Sequence, residues 1–339
     1  MAAIRTFFEQ AQAQSLVELG AASYPDYSQS LDEVEEVFSF DPAHKLWALR
    51  ERLDKAHKAS ASALSGRAFV NMFAWKDFFD FRCEEMDGLE CVFATDAAGM
   101  FMYWPPLGKT MTPECIEACF QQMHDHNRGG SLTRIENVAE AELKNFDPAK
   151  FRFELRGHDY IYRRENIAAL SGQAYKSRRG DVNAFESRYT CTYRAYEDHD
   201  FNACAELFDA WSRERSVKHG DDLYQYMLAD NRKVHRLLLS YAGRLGLLGR
   251  VVEVDGRVVA YTFGYLQASD VFCVLLEVAD VALKGLPSFI FSRLCADEAL
   301  EGFTWINAMD DFAADDLART KMSWRPAKLE PFYAVMPKE

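Results

Sequence analysis

Near the C-terminus two adjacent carboxylates, Asp310 and Asp311, stand a short way ahead of Lys321, with Glu330 beyond it. Another carboxylate, Glu277, interrupts an otherwise apolar run, DVFCVLLEV. Buried there, it needs a partner. This set of residues suits acyl transfer to an amine or hydroxyl, which requires a nucleophile freed of its proton and a positive or donor group beside the developing oxyanion. Asp310 or Asp311 would hold an ammonium, and Lys321 would neutralise an oxyanion or a phosphate. Trp324 and Tyr333 flank the cluster and are candidates to pack on a substrate. The competing reading is structural, with Lys321 paired to Asp310 or Glu277.

A second concentration of charge lies at residues 150–194, which hold ten Lys and Arg against five acids, a balance of +5 in a chain of net charge −13. Lys176, Arg178 and Arg179 are its candidates for contacting phosphate, whether of tRNA or of a lipid headgroup. The alternative is a bracing helix whose cations pair with acidic neighbours. The overall charge argues against a surface that binds nucleic acid or anionic lipid throughout.

Other chemistries find no support. An acyl-CoA enzyme of the GNAT kind binds pyrophosphate on a glycine-rich loop between a strand and a helix N-terminus. The matching segment, VALKGLPSF, has one glycine, Gly285, and Arg244-Leu-Gly246-Leu-Leu-Gly249 precedes a hairpin instead of a helix, so CoA is disfavoured. Leu107-Gly108-Lys109-Thr110 ends like a Walker A loop, but Tyr103 stands where its first glycine must be. There is no G-x-S-x-G elbow, no H-E-x-x-H and no C-x-x-C. The eight cysteines read as inert, buried, free thiols, and no metal site is expected.

The elements that must position these residues read as follows. The chain has 339 residues, 49% of them hydrophobic, enough for about two domains with ample core. No apolar run is long enough to span a membrane, no secretory leader is visible, and a cytoplasmic protein is expected. Residues 1–38 read as a helical extension and linker. From residue 39, helix LWALRERLDKAHK is followed by a second, aromatic helical stretch, SGRAFVNMFAWKDFFDF. Then come a hairpin from LECVFAT to MFMYWPP, a helix capped by Thr112 with Pro113 at its first position, and strands RIENV and AKFRFELRG. The second half repeats the order: two helices, the hairpin GLLGRVVEV-DG-RVVAYTFGYL, strand DVFCVLLEV, a helix over roughly 286–300, strand FTWINAM and a last strand LEPFYAVMPK. The expected fold is α+β, two tandem GNAT-like domains at 39–162 and 189–339. Each would be a mixed sheet flanked by helices, and a basic helix at 163–188 would join them.

At that connecting segment a family resemblance becomes specific. Asp159-Tyr160-Ile161-Tyr162, Glu165-Asn166-Ile167, Leu170-Ser171-Gly172, Tyr175-Lys176-x-Arg178-Arg179 and Asn183-x-Phe185 resemble the signature of the DUF2156 family. That family is similar to the C-terminal domain of phosphatidylglycerol lysyltransferases. Phe69-Val70-Asn71-Met72-Phe73-Ala74-Trp75 resembles its F-x-N-L-x-x-W helix and Pro105-Pro106-Leu107-Gly108 its PPLG strand end. Asn307, Asp310-Asp311, Leu317, Arg319, Lys321, Ser323 and Pro326 resemble its N-R-E-x-D-L-G-x-x-G-L-R-x-A-K-x-S-Y-x-P segment. The resemblance spans about residues 39–336.

It implies a tandem GNAT fold shared with the Fem peptidyltransferases, and transfer of an amino acid from aminoacyl-tRNA to a lipid or peptidoglycan amine or hydroxyl. Asn307 and Tyr162 join Glu277, Trp324 and Tyr333 as residues expected to contact substrate, with Lys321, Asp310 and Asp311 as the catalytic candidates. Three departures stand out. The family's E-K-A is Glu277-Val278-Ala279 here, its N-R-E is Asn307-Ala308-Met309, and its L-G after the acidic pair is Phe312-Ala313. The leading expectation is a soluble aminoacyl- or acyltransferase with a small-molecule or lipid-headgroup acceptor. The alternatives are a ligand-binding protein that kept the fold without the chemistry, and a CoA-dependent N-acyltransferase.

Overall fold

The computed structural model describes residues 45–60, 64–108, 110–128, 132–218 and 222–338. The expected extension at 1–38 lies outside them. The described strands are β1 (Asp80–Met86), β2 (Leu89–Asp96), β3 (Gly99–Met102), β4 (Ile135–Ala139), β5 (Phe151–Arg163), β6 (Cys191–Ala195), β7 (Leu248–Val254), β8 (Arg257–Ala268), β9 (Val271–Ala279), β10 (Trp305–Asn307) and β11 (Lys328–Pro337). The helices are α1 (Lys45–Ser60), α2 (Phe69–Ala74), α3 (Pro113–Asn127), α4 (Arg164–Ala169), α5 (Lys176–Glu186), α6 (Phe201–Lys218), α7 (Asp222–Ser240), α8 (Ala242–Leu245), α9 (Leu286–Cys295) and α10 (Asp315–Ser323), with short 3-10 turns between some of them.

Local signals set many of these elements. Thr112 accepts a hydrogen bond from the Cys115 N–H (3.1 Å) and Pro113 opens α3, as a capped helix start requires. Asp255 and Gly256 both take left-handed φ values, the tight reversal that joins β7 to β8. The aromatic stretch at 65–81 divides. Only Phe69–Ala74 is α-helical, and Asp80 onward becomes edge strand β1, paired to β2 across an Asp87–Gly88 turn. The connecting helix also divides. Leu170 turns left-handed and ends α4, and α5 begins only at Lys176.

The strands form one mixed sheet in the order β1-β2-β3-β4-β11-β5-β10-β9-β8-β7-β6. The two repeated halves therefore do not keep separate sheets. The C-terminal strand β11 inserts between β4 and β5 of the first half, and β10 pairs with β5. The core is shared as well. Trp47 and Phe73 pack against Tyr241, and Phe69 against both of them, with ring centroids 4.6–6.0 Å apart. Arg50 donates to the carbonyls of Arg244 and Leu245, at 2.8 and 3.0 Å, and so ties α1 to the end of α8. Among the described residues no helix is long and apolar enough to cross a membrane.

Candidate active site at the split in the sheet

Strands β9 and β10 run parallel and pair only at Val271–Cys273 with Trp305–Asn307. Beyond that the two part. Strand β9 stays on β8, with Thr262 opposite Glu277, while the chain after Asn307 follows β5 through hydrogen bonds between Tyr160 and residues 308 and 309. A register shift between Phe263 and Gly264 leaves Leu275 bulged where the gap opens. Such a split exposes strand edges that elsewhere are paired, and polar side chains on its lips can reach a ligand.

Glu277 stands on one lip. It is the one exposed residue of β9, with protein densely packed around it. That enclosure pushes its carboxyl up to about 8, with the charge of Lys321 pulling the other way. Cys295 on α9 also feels its charge.

Lys321, on the last turn of α10, reaches the other lip. Its ammonium donates to the carbonyls of Ala308 (2.6 Å), Met309 (3.4 Å) and Asp310. Burial lowers its pKa, opposed by the charges of Asp310, Asp159 and Asp311. Lys321 therefore cradles the loop after β10 by its backbone carbonyls, where the structural reading expected Asp310 or Glu277 as its partner. Two of the three departures from the family pattern, Asn307-Ala308-Met309 and Phe312-Ala313, fall at this loop, where Met309, Phe312 and Ala313 take left-handed φ. Tyr162, buried, donates to the Lys321 carbonyl (2.9 Å) and so braces α10.

Alternate residues of β5 point to opposite faces of the sheet. Tyr160 and Tyr162 join an aromatic cluster with Phe291 and Trp324 beneath α9. The Tyr160 hydroxyl donates to Asp311 Oδ2 (2.5 Å), and burial followed by this bond raises its pKa. Arg178 stacks over Trp324 at 4.9 Å and donates to Ser323 and Ser288.

On the opposite face Asp159 is buried. It accepts from the Ser65 N–H (2.6 Å), the Ser65 hydroxyl (2.9 Å) and Asn307 Nδ2 (2.8 Å). Burial raises its pKa against these donors. Asn307 also donates to Gln267 (3.0 Å) and accepts from the Met309 N–H (2.7 Å). Asp159 and Asp310 line a narrow pocket with Asn71, Trp75, Tyr103 and Phe332. Its volume is about 20 Å³, room for one water-sized group such as an ammonium.

The loop after β10 thus brings together Asn307, Asp310, Asp311, Lys321 and Tyr162; Trp324 and Arg178 pack beside it, and Glu277, on the other lip, is tied to them through the charge of Lys321. Tyr333 is a correction. It lies on β11 away from Lys321, with its hydroxyl 3.3 Å from Glu140. The strand is carried into the first half of the sheet, which sequence neighbourhood does not reveal. Arg179 is another, since it donates to the carbonyls of Leu170 and Gly172 and closes the break between α4 and α5. Lys176 is exposed on α5. Asn307, expected on substrate, has both ends of its amide engaged within the protein. Asp159, Ser65 and the pocket were missed as site residues; the Asp159-Tyr160-Ile161-Tyr162 motif was the available signal. Asn307→Ala, which removes a partner from buried Asp159 and from the Met309 N–H, is expected to cost about 2–3 kcal/mol of stability. An unchanged urea midpoint would show that this network does not hold the loop.

Comparison with known proteins decides the family. The family model described as phosphatidylglycerol lysyltransferase, C-terminal, matches residues 58–336. The chain belongs to this family. Solved structures share the fold. A conserved protein of unknown function from Bacteroides thetaiotaomicron VPI-5482 has a TM-score of 0.76 at 21% identity, over 86% of this chain and 97% of that one. The C-terminal DUF2156 domain of a putative lysylphosphatidylglycerol synthetase from Agrobacterium fabrum gives 0.60 at 12%, over 87% and 93%. L-PGS from Bacillus licheniformis gives 0.59 at 16%, over 84% and 91%. No curated protein is similar in sequence to this chain. Family and fold together make this an acyltransferase-like domain.

Proposed function

We propose that this chain is an aminoacyl- or acyltransferase of the phosphatidylglycerol lysyltransferase C-terminal type. It would carry an aminoacyl group, with aminoacyl-tRNA as the candidate donor, to the amine or hydroxyl of a small molecule or lipid headgroup. The observation that carries the reading is the split itself, with Glu277 on β9 at one lip and Lys321 holding the loop after β10 at the other; the protein packed around Glu277 pushes its carboxyl up to about 8. A base of that strength is matched to taking a proton from an acceptor amine near neutral pH. Asp310, with Asp159 behind it, would hold the α-ammonium of the donor. Lys321 positions the loop that carries Asp310 and Asp311, and its charge favours an oxyanion forming in the gap.

Coenzyme A remains disfavoured. In the loop from β9 to α9 the N–H groups of Ala282, Leu283 and Leu286 are bonded within the loop, and a Cβ at Gly285 would lie 2.1 Å from the Asp181 carbonyl oxygen of α5. That packing leaves little room for a pyrophosphate. A cytoplasmic site of action is part of the proposal, and the eight free cysteines fit a reducing compartment.

Thermal unfolding in the presence of the twenty amino-acid amides and of acetyl-CoA tests the donor site. A ligand at 100 times its dissociation constant stabilises by about 2.7 kcal/mol, a shift of a few degrees. One or a few amides should raise the midpoint, and Asp310→Asn should abolish the rise. A shift with acetyl-CoA alone would overturn the reading.

A further inference from the structure

Far from the split, under the first half of the sheet, four sulfur atoms converge. Cys91 lies on β2, and Cys115 and Cys119 lie one turn apart on α3. All three are fully buried. Their Sγ atoms all lie within 4.8 Å of one another, with Cys119 to Cys91 at 3.6 Å and Cys91 to Cys115 at 4.0 Å. The fourth sulfur is Met86 Sδ, 3.7 Å from Cys119 Sγ, at the end of β1 beside the Asp87–Gly88 turn.

A tetrahedral metal with bonds of about 2.3 Å to sulfur sets its ligands about 3.8 Å apart. Three of the spacings match that figure: Cys119 to Cys91 at 3.6 Å, Cys119 to Met86 at 3.7 Å and Cys91 to Cys115 at 4.0 Å. The positions are fixed by elements that serve nothing else in the proposed reaction. The Thr112 cap sets the register of α3, so Cys115 falls in its first turn and Cys119 on the same face.

We infer that Cys91, Cys115, Cys119 and Met86 form a binding site for a single thiophilic d10 metal ion. Three thiolates and a thioether make a soft donor set, and the thioether selects Cu(I) over Zn(II). Binding exchanges the three thiol protons for the ion, with no change of oxidation state. The site ties β1 and β2 to α3 and is separate from the split. This departs from the expectation of inert thiols and no metal.

The test is Cu(I) titration of the reduced full-length chain against the chelator bicinchoninate without oxygen, with native mass spectrometry for stoichiometry. One Cu(I) per chain is expected, held in competition with equimolar Zn(II). Cys119→Ser should lose the ion, while Cys191→Ser, outside the cluster, should keep it. Met86→Leu, a swap of similar volume at a half-buried position, should fold and hold Cu(I) more weakly. No retained Cu(I), retention unaffected by Cys119→Ser or by Met86→Leu, or a Cys91–Cys119 disulfide in the anaerobic protein would each overturn the assignment.

Discussion

Glu277→Gln is expected to lower the turnover of acyl transfer by about a hundredfold to ten-thousandfold, the usual loss when a positioned general base is removed. The substitution keeps the size and the hydrogen-bonding reach of the side chain and removes its basicity. Two pH signatures separate this from a structural effect. In the wild type, the rate should climb with pH and level off above about 8, as the carboxyl loses its proton. In the Gln variant that rise should vanish.

Stability should move the other way. A carboxyl whose folded pKa is raised above its unfolded value of about 4.3 favours the folded state below that value, and the benefit is lost as pH rises through about 8. The wild type should therefore lose stability across that window, while the Gln variant should lose less. Chemical denaturation at pH 5, 7 and 9 reads the difference. Parallel curves for the two proteins would mean that Glu277 keeps an ordinary carboxyl.

The second large effect is at Lys321. Lys321→Met keeps the length of the chain but leaves the carbonyls of Ala308, Met309 and Asp310 without their common donor. A bond to a charged donor contributes about 1.5–3 kcal/mol, and removing the buried ammonium relieves its desolvation, so the loop should loosen and stability should fall by about 2–3 kcal/mol net. Asp310 and Asp311 shift with the loop, and a displacement of about 1 Å in a positioning group costs about a hundredfold in rate. Lys321→Arg keeps the charge but its planar fork does not fit three carbonyls converging on one point, so it should not rescue the rate. If Lys321→Met leaves both denaturation midpoint and transfer unchanged, the cradle is not what orders the loop.

Much of the fold was readable from local chemistry. The Thr112-Pro113 cap, the Asp255-Gly256 hairpin and the apolar strand of β9 all lie where their residues indicate. The errors have physical causes. Aromatic residues suit strand and helix alike, so Phe78–Phe81 hid the start of β1 inside a helical reading. Strand β6 and helix α10 bury no residue fully and are poor in apolar side chains, so they went unread.

What no local pattern holds is strand order. LEPFYAVMPK reads as a strand, but nothing in it says that it joins β4 and β5 instead of its own half. That single fact removes Tyr333 from the site. It also lies behind the missed pocket, because Phe332 of β11 completes a wall that Asp159 and Asn71 begin. Glu277 was legible because a lone carboxylate in an apolar strand demands an explanation. Asp159 was not, since its partners Ser65 and Asn307 lie 94 and 148 residues away in sequence.

The most direct measurement follows the loss of ester-linked label from a total aminoacyl-tRNA pool charged with all twenty amino acids. Wild type and Glu277→Gln are compared with phosphatidylglycerol vesicles and, separately, with a mixture of small amines as acceptors. One aminoacyl class should be consumed by the wild type, faster at pH 8 than at pH 6, and left nearly intact by the variant. Equal consumption by both proteins, or none above buffer by either, would contradict transfer at the Glu277 lip of the split.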